Sequence, residues 1–168
     1  MVGRPISCCF SGHRPAKLPW GANERDPRCI ALKERIHDAV SDAIAQGYTN
    51  FLCGMAQGCD LYFAEEILYQ KSLHTGITLE AVIPCLTQAE GWPREDRERY
   101  ARILAAADLE TVIQNEYSAT CMQRRNRYMV DHSSLLITAH GGIPGGTRNT
   151  VLYAMQRGLD ITDIPVLE

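Results

Sequence analysis

Four segments of this chain have residue types that can hold a phosphate or another anion. The first is Ser11-Gly12-His13-Arg14-Pro15. Gly12 lets a ligand approach the backbone, and Ser11, His13 and Arg14 supply hydrogen-bond donors. The alternative is an ordinary polar loop with a tight turn, in which His13 forms a hydrogen bond and does not act as an acid or base.

The second segment is Gly54-Met55-x-x-Gly58-x-Asp60, placed where a predicted strand passes into a predicted helix. Free N–H groups and the positive end of the helix dipole favour a phosphate at such a junction. The spacing matches neither the GxGxxG pattern nor the P-loop, so no standard dinucleotide motif is present. Asp60 suits the N-cap position of the helix, and its alternative role is a hydrogen bond to a ribose hydroxyl.

The third segment contains Met122, Arg125, Asn126, Met129 and Asp131. A spacing of four places Arg125 and Met129 on one helix face, with Met122 one turn earlier. Methionines on the core side would carry Arg125 toward the interior or the edge of a cleft. A buried arginine needs a partner, and a ligand phosphate or Asp131 can serve. The alternative is a solvated run of arginines.

The fourth segment is Pro144-Gly145-Gly146-Thr147, again between a predicted strand and a predicted helix. Two glycines followed by a hydroxyl at the N-cap form a compact anion cradle, and Thr150 adds a second hydroxyl one turn later. The alternative is a plain glycine-rich connection. No single segment establishes a ligand site. The prediction of a site depends on all four segments meeting in one cleft.

Strands and helices alternate along the whole sequence. Apolar runs predict strands at 5–10, 49–53, 77–83, 109–113, 134–138 and 161–167, and helical spacing predicts helices between them. Asp26-Pro27 reads as an N-cap and first helical residue, and Gly47 as the end of that helix. Alternation of this kind indicates an α/β fold, a Rossmann-like three-layer sandwich with a mostly parallel central sheet. Residues 1–168 form one domain, whose ligand crevice lies at the carboxyl ends of the strands.

Composition narrows the class of protein. The net charge of −3 argues against a protein that coats nucleic acid, so DNA binding is the least favoured class. No run of about 20 apolar residues is present and the N-terminus lacks a signal-peptide pattern, so we expect no membrane segment and a cytoplasmic location. Seven cysteines without CxxC or CxxH spacing are expected to be small buried residues and not metal ligands.

The four segments together resemble a known family. Their residues, order and spacing are similar to those of the YpsA-like proteins of unknown function, which belong to the SLOG superfamily with DNA-processing protein A and the Lonely-guy phosphoribohydrolases. The resemblance covers nearly the whole chain. It implies a Rossmann-like domain whose glycine-rich loops bind nucleotide-derived ligands, with molecules like ADP-ribose or NAD as the proposed class.

The Lonely-guy branch cleaves the N-glycosidic bond of a nucleoside 5′-monophosphate with a catalytic arginine and glutamate. By resemblance, Arg125 keeps the arginine, whereas Asn126 replaces the following lysine of that branch. Leu152 stands where the glutamate belongs. A leucine can neither stabilise an oxocarbenium-like centre nor transfer a proton, which places hydrolysis by that route in doubt and leaves open whether the protein is an enzyme.

The leading hypothesis is therefore binding or sensing of a nucleotide-derived ligand that requires no cofactor and no metal. The candidate ligand-binding residues are Ser11, Gly12, His13, Arg14, Gly54, Met55, Gly58, Asp60, Arg125, Asn126, Gly145, Gly146, Thr147 and Thr150. The alternative is an N-glycosidic hydrolase with a replacement acid/base residue. Its candidate catalytic residues are Arg125, Asp60 and Asp131, and Glu116 or His13 can also take the acid/base role. Trp20, Trp92 and Tyr100, expected to be exposed, can line a dimer interface of a homo-oligomer or a lid over the cleft, and the sequence does not choose between these two roles.

Overall fold

The computed structural model describes residues 6–140 and 144–166 of the chain. Its strands are β1 (Ser7–Gly12), β2 (Asn50–Cys53), β3 (Thr78–Ile83), β4 (Leu109–Val112), β5 (Leu135–Ala139) and β6 (Asp160–Ile164). Its α-helices are α1 (Pro27–Ala45), α2 (Cys59–Leu73), α3 (Arg94–Ala106), α4 (Cys121–Asp131) and α5 (Gly146–Gln156), with a short 3-10 helix at Pro15–Lys17. The predicted alternation of strands and helices is confirmed, and most boundaries differ from the prediction by one or two residues.

The six strands form one sheet in the order β4-β3-β2-β1-β5-β6, and all five strand pairs are parallel. The chain adds β2, β3 and β4 on one side of β1 and then crosses to place β5 and β6 on the other side. The direction of winding therefore reverses between β1 and β5. In open parallel sheets, ligands bind at such a switch point, outside the carboxyl ends of the strands.

Two apolar clusters cover the two faces of the sheet. On one face, Phe10 of β1 and Ile137 of β5 pack with buried residues of α1, α2 and α3. On the other face, Cys9 and Leu136 pack with residues of α4 and α5. Successive residues of a strand point to opposite faces, so the central strands are apolar on both sides and carry nearly continuous apolar runs. The three-layer sandwich predicted from the sequence is present.

The first helix begins as the sequence indicates. Asp26 lies in an extended conformation before Pro27, and its side chain accepts a hydrogen bond from the Arg28 backbone N–H at 2.9 Å. This contact satisfies one of the N–H groups that have no partner within the helix. Gly47 follows the last turn with a φ of +100°, a conformation that glycine adopts without strain.

The prediction that the cysteines are small buried residues is confirmed, because all seven thiols are free and buried. The aromatic prediction is wrong for two of its three residues. Trp20 and Tyr100 are buried in the apolar cluster beside α1, α2 and α3, and Trp92 packs against the same cluster in contact with Tyr100. Within the described ranges, no helix combines the length and apolarity needed to cross a membrane.

Candidate functional site

A cleft of about 350 Å³, here called the main cleft, opens beside the carboxyl ends of β1 and β5. Nine of the predicted ligand-binding residues line it, from four segments of the chain: Ser11, Gly12, His13, Arg14, Asp60, Arg125, Asn126, Gly146 and Thr147. Its remaining lining residues are Phe10, Ala16, Lys17, Ala56 and Met122. The volume lies within the range of ligand pockets, which starts near 300 Å³. The four sequence-distant segments therefore meet at one place.

Arg125 forms the floor of the main cleft between α4 and the end of β2. Its side chain donates hydrogen bonds to the Gly54 carbonyl oxygen and, at 2.7 Å, to the Asn126 Oδ1 atom. Gln88 donates to the same carbonyl at 3.2 Å. Burial lowers the pKa of Arg125, and the nearby Asp60 carboxylate opposes this change. The sequence prediction of an inward arginine is correct, but Asp131 is not its partner.

Gly54 makes room for the Arg125 side chain. A Cβ atom built at this position would lie 2.5 Å from the Nη1 atom and 2.6 Å from the Cζ atom of Arg125. The guanidinium therefore packs directly on the glycine backbone, in a space that any side chain would occupy. Gly54 does not line the main cleft, and its role differs from the predicted one.

Gly58 and Met55 also serve the packing of this junction. Gly58 has a φ of +83°, and a Cβ atom there would lie 2.8 Å from the His13 carbonyl oxygen. Met55 has a positive φ of 62° and is fully buried in the core. Neither residue lines the main cleft, because the loop after β1 and the apolar core occupy the space around them.

Asp60 lies within the first turn of α2, and the N-cap prediction for it is wrong. Gly58 takes the N-cap position, while Asp60 turns back and accepts a hydrogen bond from the Ala56 N–H at 3.1 Å. Burial raises the pKa of Asp60, and the positive charge of Arg125 acts in the opposite direction. Asp60 lines the main cleft, and its role in binding a ligand stays a prediction.

The loop after β1 brings two more cations to the main cleft. The Arg14 guanidinium donates to the Met122 sulfur atom, and the Lys17 ammonium donates to the Pro144 carbonyl oxygen at 3.3 Å. His13 is buried in the cleft wall. Burial lowers its pKa, and the charges of Lys17 and His140 act in the same direction.

The N-terminus of α5 is the open side of the main cleft. Gly145 is the N-cap residue, so the prediction of Thr147 as N-cap is wrong; Thr147 is a buried residue of the first turn. Gly145 itself packs against the Lys17 ammonium. Apart from its chain neighbours and the backbone of its own helix, no described heavy atom lies within 4 Å of a Cβ atom built at Gly146. Residues 141–143 of the predicted glycine-rich loop lie outside the described residues.

A second hollow of about 290 Å³, here called the α4–α5 groove, adjoins the main cleft. Its lining residues are Met122, Gln123, Asn126, Arg127, Gly146, Asn149, Thr150 and Tyr153. The predicted residue Thr150 lies here, where its hydroxyl donates to the Gly146 carbonyl oxygen at 2.9 Å. Met122, expected on the core side of its helix, is half-buried and lines both hollows.

Three residues considered for catalysis lie outside both hollows. Asp131 ends α4 and accepts a hydrogen bond from the Tyr153 hydroxyl at 2.7 Å, with Arg157 at 3.3 Å. Glu116 is exposed in the connection before α4. Leu152 is 51% exposed on α5. Asp60 and His13 are thus the two considered acid/base residues that line the main cleft.

Two residues beside the predicted ones were not predicted from the sequence: Lys17, which lines the main cleft, and Gln88, which bonds to the Gly54 carbonyl next to Arg125. The groove residues Gln123, Arg127, Asn149 and Tyr153 were not predicted as site residues either. Lys17 contacts a carbonyl 127 positions away, and Gln88 contacts Gly54 across 34 positions. No local pattern signals either contact, although Lys17 follows the Ser11–Pro15 segment closely enough to be considered with it. In the part of the chain that the structure describes, no three His, Cys, Asp or Glu side chains form a group that could hold a metal ion.

Comparison with protein families gives one match that spans most of the chain. Residues 8–157 match the family model described as the YspA SLOG family. All four predicted segments and both hollows lie within the matched range.

Individual relatives are similar along most of their length. The chain is 27% identical over 143 residues to the uncharacterized SPbeta prophage-derived protein YoqJ of Bacillus subtilis (strain 168), which covers 77% of this chain and 84% of that protein. It is 22% identical over 160 residues to a UPF0398 protein of Bacillus pumilus (strain SAFR-032), which covers 94% of this chain and 83% of the relative.

Two solved structures share the fold. DNA processing protein A from Streptococcus pneumoniae superimposes with a TM-score of 0.64 at 18% identity, over 95% of this chain and 50% of that one. The same protein from Helicobacter pylori, described for its single-stranded DNA binding mode, gives a TM-score of 0.66 at 15% identity, over 96% and 66% of the two chains. The chain thus spans half to about two thirds of these larger proteins.

Proposed function

Because the chain belongs to the YspA SLOG family, we propose that it binds a phosphate-bearing nucleotide derivative in the main cleft and signals its presence. The observation that carries this proposal is the charge around the cleft. Among its lining residues are three cations, Arg14, Lys17 and Arg125, and one carboxyl group, Asp60, whose neutral form is favoured by burial. A cleft lined by more cations than carboxylates attracts an anion.

The phosphate is proposed to lie at the N-terminus of α5. The first N–H groups of a helix have no partner within it, and the helix dipole favours a negative charge there. Gly146 has no side chain to cover these groups, and Thr147 adds a hydroxyl on the cleft side. A phosphate at this point needs no displacement of a described side chain from Gly146.

Lys17 and Arg14 are proposed to close on the phosphate from the opposite side. Their present acceptors are a backbone carbonyl oxygen and a thioether sulfur, neither of which carries a formal charge. A phosphate oxygen is a stronger acceptor for a cationic donor than either group. Exchange of these partners for the ligand therefore favours binding, while Arg125 stays on Gly54 and supplies positive charge from the floor.

Calorimetry and thermal shift against ADP-ribose, NAD, AMP and cyclic nucleotides test the proposal. We expect at least one ligand to bind with a dissociation constant near 1 μM, about −8 kcal/mol, and to raise the melting temperature. Lys17→Met should weaken this binding at least tenfold, whereas Arg124→Met, an exposed position on α4, should leave it unchanged. An unmoved melting curve and no heat with every ligand would overturn the proposal.

Hydrolysis of an N-glycosidic bond is the second candidate function, and Asp60 is the observation that favours it. A buried carboxyl group with a raised pKa in a ligand cleft is suited to protonate a leaving base. Asp60 would give its proton to the base nitrogen as the glycosidic bond breaks, and water would add its hydroxyl group to the ribose carbon and return a proton to Asp60. AMP would yield adenine and ribose 5-phosphate, and NAD would yield nicotinamide and ADP-ribose. Chromatography after incubation with AMP, NAD or ADP-ribose should then show free base, and Asp60→Asn should abolish it. No product at high protein concentration removes this candidate.

Single-stranded DNA is the ligand named for the Helicobacter pylori neighbour. A short single-stranded oligonucleotide, tested beside the nucleotides at low salt, separates that ligand from the proposed small molecule. The net charge of −3 leads us to expect weaker binding of the oligonucleotide than of the best nucleotide. Tighter binding of the oligonucleotide would replace the proposed ligand with nucleic acid.

A further inference from the structure

The main cleft and the α4–α5 groove adjoin each other. Met122, Asn126 and Gly146 line both of them. A ligand whose phosphate lies at Gly146 is therefore at the border of the groove. The groove has a volume of about 290 Å³, which is close to that of the smallest ligand pockets and far more than a phosphate needs.

Two planar groups lie against each other in the wall of the groove. The Arg127 guanidinium lies over the Tyr153 ring at 5.1 Å from its centroid. The Tyr153 hydroxyl donates to Asp131 at 2.7 Å, so the edge of the ring is held in place as well. Aromatic rings and guanidinium planes are the surfaces on which proteins stack nucleobases.

The remaining wall of the groove can recognise the polar edge of a flat ring. Asn126 and Asn149 carry carboxamides, which both donate and accept hydrogen bonds, as the edge of a nucleobase does. The lining residues include one cation, Arg127, and no carboxylate. A positively charged ring is therefore disfavoured relative to a neutral one.

We propose that the α4–α5 groove binds the neutral nucleobase of a nucleotide, stacked on the Arg127 guanidinium that lies over the Tyr153 ring, while the phosphate lies at Gly146. This inference rests on the proposed function, since it assumes that the phosphate occupies the main cleft. It specifies the ligand further. A nucleotide with a neutral base should bind more tightly than the same sugar phosphate without a base, and more tightly than oxidised nicotinamide mononucleotide with its cationic ring.

Calorimetry with three ligands tests the inference. We expect AMP to bind at least tenfold more tightly than ribose 5-phosphate or oxidised nicotinamide mononucleotide. Tyr153→Ala should weaken AMP binding about tenfold and change ribose 5-phosphate binding less than twofold, whereas Tyr153→Phe should retain most of the AMP affinity. Tyr69→Ala is the matched control, because Tyr69 is 53% exposed on α2, across the sheet from the groove.

The outcomes separate this inference from the proposed function. Retained binding of ribose 5-phosphate shows that a variant is folded, and Arg127→Leu provides a second variant at the stacking surface. If ribose 5-phosphate binds and AMP binds no more tightly, or if AMP binding survives both Tyr153→Ala and Arg127→Leu, the groove is not a base site. If neither ligand binds, the proposed function itself fails.

Discussion

Two strand–helix junctions of this protein contain paired glycines, and they are used in opposite ways. At the β2–α2 junction, the protein fills the space with its own groups: Arg125 packs on Gly54 and the loop after β1 packs on Gly58. At the β5–α5 junction, Gly146 faces open space among the described residues and lines both hollows. A glycine at such a junction thus allows close packing in one case and borders open space beside the main cleft in the other.

This difference indicates that the two junctions have different roles. The β2–α2 junction holds Arg125 and Asp60 in place and so sets the charge of the main cleft. The β5–α5 junction is the one at which we propose that the helix N–H groups bind the phosphate. Substitutions at the first junction should damage stability and binding together, whereas substitutions at the second should damage binding alone.

The largest expected effect is that of Gly54→Ala. The added methyl would lie 2.5 Å from the Arg125 guanidinium, so either the backbone or the arginine must move. We expect a loss of about 2–3 kcal/mol in the free energy of unfolding, measured by urea denaturation, together with loss of nucleotide binding. Gly91→Ala is the control, since its position is exposed and its added methyl meets no described atom within 4 Å. Equal stability of the two variants would show that the junction is not closed.

Arg125→Met should have the next largest effect. The substitution removes a donor from the Gly54 carbonyl and leaves the buried Asp60 without its nearby positive charge. We expect a destabilisation of about 2 kcal/mol and at least tenfold weaker nucleotide binding, by denaturation and calorimetry. Arg124→Met at the exposed neighbouring position should change neither quantity. A stable variant with unchanged affinity would contradict the role of Arg125 in the cleft.

Gly146→Ala should separate binding from stability. Because the new methyl meets no described atom, the free energy of unfolding should change by no more than about 0.5 kcal/mol. The methyl would nevertheless lie beside the helix N–H groups, and we expect nucleotide affinity to fall about tenfold in calorimetry. Loss of stability comparable to that of Gly54→Ala would erase the distinction between the junctions.

The smallest expected effect is a pH dependence from His13, which links the two junctions. Its carbonyl oxygen accepts the Cys59 N–H at 3.1 Å, while its ring lines the main cleft. Burial lowers the pKa of His13 below its ordinary value of 6.5, so near and below that pH the unfolded chain binds a proton that the folded protein does not. The free energy of unfolding should therefore fall as the pH drops from about 7 to about 5.

Denaturation curves at several pH values measure this effect. His13→Gln should flatten the stability profile between about pH 7 and pH 5. His74→Gln, at an exposed position beyond α2, serves as the control variant. A steeper slope in His13→Gln would contradict a neutral, buried His13.

The fold could be predicted from the sequence because local signals determine it. Asp26-Pro27 starts α1 as the pattern indicates, and the apolar run before Ser11 becomes the centre of a parallel sheet. The convergence of Ser11, Arg125 and Gly146 follows from the same reasoning, since the carboxyl ends of parallel strands share one edge. Strand order did not follow from any pattern, because it depends on contacts between distant residues.

The finer roles within the site could not be predicted for the same reason. Asp60 and Thr147 each lie two residues after the glycine that takes the N-cap, and the sequence did not show that glycine would take this position. Gly54 and Gly146 both lie between a strand and a helix, and the contact of Gly54 with Arg125, 71 positions away, is not visible in the sequence. Asp131 is ten residues after the start of α4, which carries it about 15 Å along the helix and away from the cleft.

A two-dimensional ¹⁵N–¹H NMR titration with ADP-ribose or AMP tests the central claim most directly, because it reports on both junctions at once. The account predicts that the amide resonances of Gly146 and Thr147 shift most, in step with occupancy, while those of Gly58 and Cys59 shift little. The largest shifts at Gly58 and Cys59, with Gly146 unchanged, would contradict it.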